Sequence, residues 1–235
     1  MTFSVSDKVG DIVAALPKAG DVFKQHKIDF CCGGNRPLSE AAKEIGIDAQ
    51  ALASEINQVF RIVKEESGNE VDWTQAPLSR LVDHVLNEHH GYLHKTLPSL
   101  GELVATILRV HGANHPELGI VHRLYNNLKM EFEQHLIKEE TLVFPKILEY
   151  EKSGSDTALR QAVSAIEELE REHEGTGNIL KELRQITKDY HAPADGCGTY
   201  HYTFQKLEEV ESNTFVHIHL ENNILFPRLR ECIDP

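Results

Sequence analysis

The chain reads as all-α: an up-down four-helix bundle preceded by a small helical N-terminal domain. Three observations carry this. Glycine and proline are sparse, 15 and 9 in 235 residues, which leaves room for long uninterrupted elements. Apolar residues recur at the 3.6-residue helical period, with no convincing alternating strand. A string on the second long helical stretch returns on the fourth.

Taken in order, residues 1–66 form the small helical domain. Helical stretches at Val9–Leu16, Ala19–His26, Ser39–Ile45 and Ala49–Glu65 are separated by turns, the sharpest being Cys31-Cys32-Gly33-Gly34-Asn35-Arg36-Pro37. Polar residues from Glu65 to Glu70 break the pattern, and 67–76 is read as a linker. Residues 77–235 carry the bundle. Its first helix runs from about Pro77, where a missing N–H costs little, to Val110, with a kink expected at Pro98. The second spans about Pro116–Lys152, and Ser155 or Asp156 then caps the third, Thr157–Tyr190. The fourth spans Tyr200–Cys232. Long helices with short connections predict the up-down arrangement.

The repeat selects the site. His135 to Pro145 and His217 to Pro227 both read H-x-x-x-E-x-x-x-x-F-P, 82 residues apart, so a two-helix unit is duplicated. His and Glu four apart share one helix face and can grip one cation from one side. Each unit should also offer a ligand on its other helix. In the second unit this is His173, 44 residues before His217; in the first, His90 lies 45 residues before His135, while His89 and His84 fit the spacing less well. The apolar seams agree: Leu86, His90, Leu93, Leu97 and Leu100; Leu124, Leu128, His135, Glu139 and Leu142; Ile166, Leu169, His173 and Leu180; Val210, His217, Glu221 and Ile224.

Two carboxylates at the heart of one bundle need cations, because buried uncompensated charge is costly. The expected metal ligands are therefore His90, His135, Glu139, His173, His217 and Glu221. Four imidazoles and two carboxylates without a thiolate suit iron or manganese better than structural zinc, magnesium or calcium. Bridging carboxylates would leave open positions for a small molecule such as O₂ or NO. A single H-x-x-x-E is common in helices and means little. Two copies with identical tails and matched partners mean much more. Phe144-Pro145 and Phe226-Pro227 need only an aromatic core plug and a helix kink.

These residues resemble the hemerythrin-like bundle, and specifically the bacterial iron–sulfur cluster repair di-iron (repair-of-iron-centres) family. The strings from Met130 to Pro145 and from His217 to Pro227, together with Asp29-Phe30-Cys31-Cys32-Gly33-Gly34, carry the likeness over nearly the whole chain. Oxygen-carrying hemerythrins are less similar: their second third-helix histidine is Gly177 here. The resemblance implies a carboxylate-bridged pair of non-haem Fe ions held by the six residues above, and repair of clusters damaged by oxidative or nitrosative stress, through iron delivery or NO handling. It places Glu131 and Glu172 beside the ligands or along a channel, with solvated glutamates as the alternative. An NO- or O₂-reducing enzyme and a gas-binding sensor are the other readings of one site.

Cys31 and Cys32 sit in a Gly-rich turn before a helix, where a thiol is expected to be acidic and reactive. A thiol relay for iron or NO, an intermolecular contact and a structural turn all fit, whereas Cys197 and Cys232 read as incidental. The net charge of −13 argues against nucleic acid and anionic membranes as partners. No apolar run reaches the roughly 18 residues of a membrane span, and no secretory leader is visible, so a cytoplasmic location is expected. The partners expected are damaged iron–sulfur proteins and the gases NO and O₂, with a homodimer left open.

Overall fold

The computed structural model describes residues 2–66 and 71–233, except for the side chains of 64–66. Of the expected linker, 67–70 therefore lies outside the described residues. The chain divides into two compact units, one of residues 1–81 with 215–235 and one of residues 82–214.

The first unit begins with four helices, α1 (Val9–Ala15), α2 (Ala19–Gln25), α3 (Leu38–Glu44) and α4 (Ala49–Glu66). Their apolar faces bury Val9, Ile12, Phe23, Phe30, Leu38 and Ile56 completely or nearly so. Phe30 meets Phe215 edge-on at 5.7 Å, so the C-terminal segment shares this core. Asn57 fixes the N-terminal residues, accepting the Phe3 N–H and donating to the Phe3 carbonyl, both at 2.8 Å. Arg228 donates to the carbonyls of Trp73 (2.9 Å) and Ala76 (2.7 Å), just before α5 (Leu78–His84).

The second unit is a helical bundle. It is built on α6 (Gly91–His111), α7 (Glu117–Lys138), α8 (Phe144–Ser153), α9 (Asp156–Ile186) and the first part of α10 (Gly198–Leu220). Leu97, Leu100, Leu128, Phe132, Ile166 and Leu183 are among its buried residues. α6 continues through Pro98, so the proline does not end it. At the start of α9, Ser155 is the cap: its side chain accepts the Ala158 N–H at 3.2 Å. α9 ends at Ile186 rather than Tyr190. Thr187 closes it, and Lys188, Asp189 and Tyr190 follow with φ of 52°, 61° and 57°.

The long helices are interrupted by three π-turns, at Val85–His90, Glu139–Val143 and Glu221–Leu225, the last leading into α11 (Phe226–Ile233). The second and third immediately precede Phe-Pro. Pro145 and Pro227 have no N–H for the carbonyl four residues back, and the ring would press on it. Widening the preceding turn relieves the clash: the N–H groups of Phe144 and Phe226 reach back five residues, to the Glu139 and Glu221 carbonyls. The widening also moves the register. Leu142, expected on the core seam, is 62% exposed, and Val143 is buried instead. Val85 is likewise buried where Leu86 was expected.

Candidate metal centre

Each π-turn carries a residue of the expected ligand set. His90 ends the first, Glu139 begins the second and Glu221 begins the third. In the bundle unit, His90, His135, Glu139 and His173 are all buried, with Glu139 fully so. His90 Nε2 and His135 Nε2 each lie 3.3 Å from Glu139 Oε2. His173 Nε2 faces His135 Nε2 at 3.0 Å. In the other unit, His217 Nε2 lies 3.2 Å from Glu221 Oε1, and both are completely buried.

The outer ring nitrogens explain which way the imidazoles face. His135 Nδ1 donates to Glu172 Oε2 at 2.7 Å, and His90 Nδ1 donates to Glu140 Oε1 at 2.9 Å. A carboxylate only accepts, so these contacts fix the proton on Nδ1 and leave the Nε2 lone pair turned inward. Two lone pairs then face one carboxylate oxygen of Glu139. Acceptors that close repel unless a cation sits among them. The donor set therefore fits a metal: His135, Glu139 and His173 present ligand atoms within 4.8 Å of one another, as do His90 with Glu139 and His217 with Glu221.

The surrounding charges fit the same purpose. The hydrogen bond from His135, helped by the Lys138 ammonium, holds the Glu172 carboxyl down at about 2. For Glu140, burial pushes upward, but hydrogen bonds from His94 and His90 outweigh it and keep the carboxyl below its usual range. Burial, then the charge of Glu172, raises the Glu131 carboxyl. Glu131 and Glu172 line a cavity of about 300 Å³ with His135, Gln134, Arg171 and Thr176. Phe144 stacks on the His90 ring at 5.6 Å. His89, the near miss in spacing, turns instead to His84, edge-on at 5.6 Å.

Sequence reasoning missed Glu140, which holds His90 as Glu172 holds His135. Its signal was its place directly after Glu139; the repeat has Asn222 there and so hides the pairing.

The cysteine turn differs from expectation. Asp29 Oδ1 accepts the N–H groups of Cys31 (3.1 Å), Cys32 (3.0 Å) and Gly33 (3.1 Å) and the Cys31 thiol at 3.2 Å. Cys31 is buried, and burial, with Cys32 and Asp29 adding, pushes its thiol well above the ordinary range. The expectation of an acidic thiol therefore fails for Cys31, because burial and the neighbouring Cys32 and Asp29 disfavour its thiolate. Cys32 is the more accessible of the two; the sulfurs are 3.8 Å apart and unbonded. Asn223, two residues after Glu221, clasps this turn by donating to the Cys31 carbonyl (3.1 Å) and more weakly to that of Phe30 (3.3 Å). A Cβ on Gly10 or on Gly34 would come within 2.5 Å of Asn223 Oδ1. His219, one turn before Asn223, is buried against the Phe30 ring at 5.8 Å, and burial lowers its imidazole to about 4.

Residues 81–229 match the hemerythrin HHE cation binding domain, a span that includes all six expected ligands. The chain belongs to the hemerythrin HHE family. Residues 5–59 of this HHE protein match a second family, described as a domain of unknown function (DUF542, ScdA_N). Among curated relatives, the iron–sulfur cluster repair protein ScdA of Staphylococcus epidermidis is 31% identical, over 95% of this chain and 97% of the relative. ScdA of Staphylococcus haemolyticus is 31% identical over 93% and 95%. The iron–sulfur cluster repair protein YtfE of Yersinia pseudotuberculosis is 33% identical over 95% and 96%. Among the described residues of the HHE chain, no helix is long and apolar enough to cross a membrane.

Proposed function

We propose that this protein repairs damaged iron–sulfur clusters and does so with a pair of non-haem iron ions. His90, His135, His173 and His217 would hold the ions, and Glu139 and Glu221 would bridge them. The carrying observation is the repeated His–Glu grip, each copy buried and each glutamate opening a π-turn. The names of the full-length relatives support the repair role. Such a pair supplies iron for exchange and open positions for NO or O₂. The chain's own residues do the rest: Glu172 and Glu140 orient two imidazoles, and Glu131 stands at the cavity beside His135. Cys32 is the accessible thiol for any relay. The clients would be iron–sulfur proteins with damaged clusters.

Glu139→Leu and Glu221→Leu test the bridges. Each should abolish binuclear iron binding while far-ultraviolet circular dichroism remains helical; full binuclear occupancy in either variant would refute the assignment. The repair role requires that the iron-loaded protein restore a damaged [4Fe–4S] enzyme, and failure to do so removes it. A gas-reducing enzyme is the second reading. It draws on the cavity beside His135, where a carboxyl raised by burial, Glu131, is placed to give a proton to a small molecule. Sustained turnover of NO to nitrous oxide with a reductant would favour it.

A further inference from the structure

We propose that Cys197 and His111 form a reactive thiol–imidazole pair, a second chemical site that hydroperoxides oxidise to a sulfenic acid. His111 ends α6, and Cys197 lies in the loop that leads into α10. His111 Nε2 is 3.1 Å from Cys197 Sγ. Nucleophile and base within hydrogen-bond reach is the arrangement by which proteins activate a thiol. Cys197 does not stand alone. The same two loops are joined a second time, by His115 Nε2 and Asp195 Oδ2 at 3.2 Å, and His115 Nδ1 reaches Glu117 at 3.2 Å. Both imidazoles pack edge-on against the buried Tyr200 ring, at 5.3 Å for His111 and 5.7 Å for His115. Two cross-loop contacts over one aromatic wedge keep His111 aimed at the sulfur.

The surroundings favour the thiolate. The His111 contact, then the N–H groups of Tyr200 and Thr199 in the first turn of α10, draw the thiol down to about 7. Cys197 is exposed, so a small electrophile reaches it. Cys31 is buried with its thiol raised, which is the opposite setting. In the reaction with hydrogen peroxide the thiolate sulfur attacks one peroxide oxygen and the O–O bond breaks. The sulfur is oxidised by two electrons and the peroxide is reduced. The hydroxide that leaves takes the proton held by His111 and departs as water, giving Cys197–SOH and neutral His111.

Cys232 is also exposed and serves as the internal reference. At pH 7 the lowered thiol is ionised roughly fifty-fold more than an ordinary one. Its weaker intrinsic nucleophilicity takes back roughly eight-fold, leaving it about six-fold faster. The test is iodoacetamide alkylation of the protein as purified, followed for each cysteine by peptide mass spectrometry across pH. Cys197 should react several-fold faster than Cys232 at pH 7, and its own rate should rise with a midpoint near 7. His111→Ala should slow Cys197 and leave Cys232 alone. After brief peroxide exposure, dimedone should label Cys197 ahead of Cys232. Equal alkylation rates for Cys197 and Cys232 in the unaltered protein, or no sulfenic label at Cys197, would overturn the proposal. The comparison needs no variant to fold, and it stands apart from the metal reading because neither residue belongs to the ligand set.

Discussion

Imidazoles bind metal through a neutral nitrogen, and what decides which nitrogen is free is a contact on the far side of the ring. Here those contacts are Glu172 on His135 and Glu140 on His90. Partners of this kind commonly matter ten- to a hundred-fold in metal affinity. Replacing Glu172 with Ala should therefore weaken metal binding by roughly ten-fold or more, measured by competition with a chromophoric chelator; unchanged affinity would remove the orienting role. Acid should act on the same contact. The Glu172 carboxyl is lower in the folded protein, about 2 against an ordinary 4.5. The contact is thus fully present above about pH 4.5 and fades as pH falls towards 2. Glu172→Gln should lack that part of the acid response, read as the pH dependence of the unfolding midpoint. The candidate ligand histidines were legible because spacing and repetition single them out. Glu140 was not, since a glutamate beside a glutamate carries no periodic signal and the second copy has Asn222 in its place.

Among the elements, the π-turns and the end of α9 escaped a reading based on a uniform 3.6-residue period. An i→i+5 turn adds a residue to one helical turn and moves every later residue to another face. That is why Leu142 came out exposed and Val143 buried, while His135 and Glu139, ahead of the shift, kept their expected face. The Phe-Pro pair after each glutamate was the available clue, and it pointed to a kink. At the end of α9, apolar periodicity gave no warning that Lys188, Asp189 and Tyr190 turn left-handed. The segment is held by Tyr190, buried under the Arg184 guanidinium at 5.2 Å, and by Arg184 itself, which pairs with Asp189 (3.4 Å) and with Glu211. Lys188 is exposed at φ 52°, so its side chain gains little there in return for the strained backbone. Lys188→Gly should raise stability by about 0.5–1 kcal/mol, seen as a higher denaturant midpoint with an unchanged slope. A lower midpoint would mean that Lys188 makes contacts worth more than the strain.

For the molecule as a whole, a metal that binds only the folded form must raise its stability by mass action, by about 4 kcal/mol when its concentration is 1,000 times its dissociation constant. Stripping the metal with a strong chelator should therefore lower the thermal midpoint by several degrees, and re-adding ferrous iron should restore it. Identical midpoints with and without metal would argue that the buried imidazoles and glutamates are satisfied without it. The all-helical class and the four long helices were legible in the sequence, because long amphipathic periods dominate composition and loops are short. The grouping of 215–235 with the N-terminal residues was not, since no local pattern in a helix records what packs on its outer side. That grouping makes the two repeats unequal. Ile137 and Leu142 lie open at 58% and 62%, whereas their counterparts His219 and Ile224 are each 3% exposed. The repeated unit thus has one copy whose outer side is open and one whose outer side is packed. On the second, Asn223 fills space that side chains at Gly10 and Gly34 would need, and the Phe30 carbonyl closes in on Gly34 as well, so residues far apart in the chain jointly hold both positions to glycine.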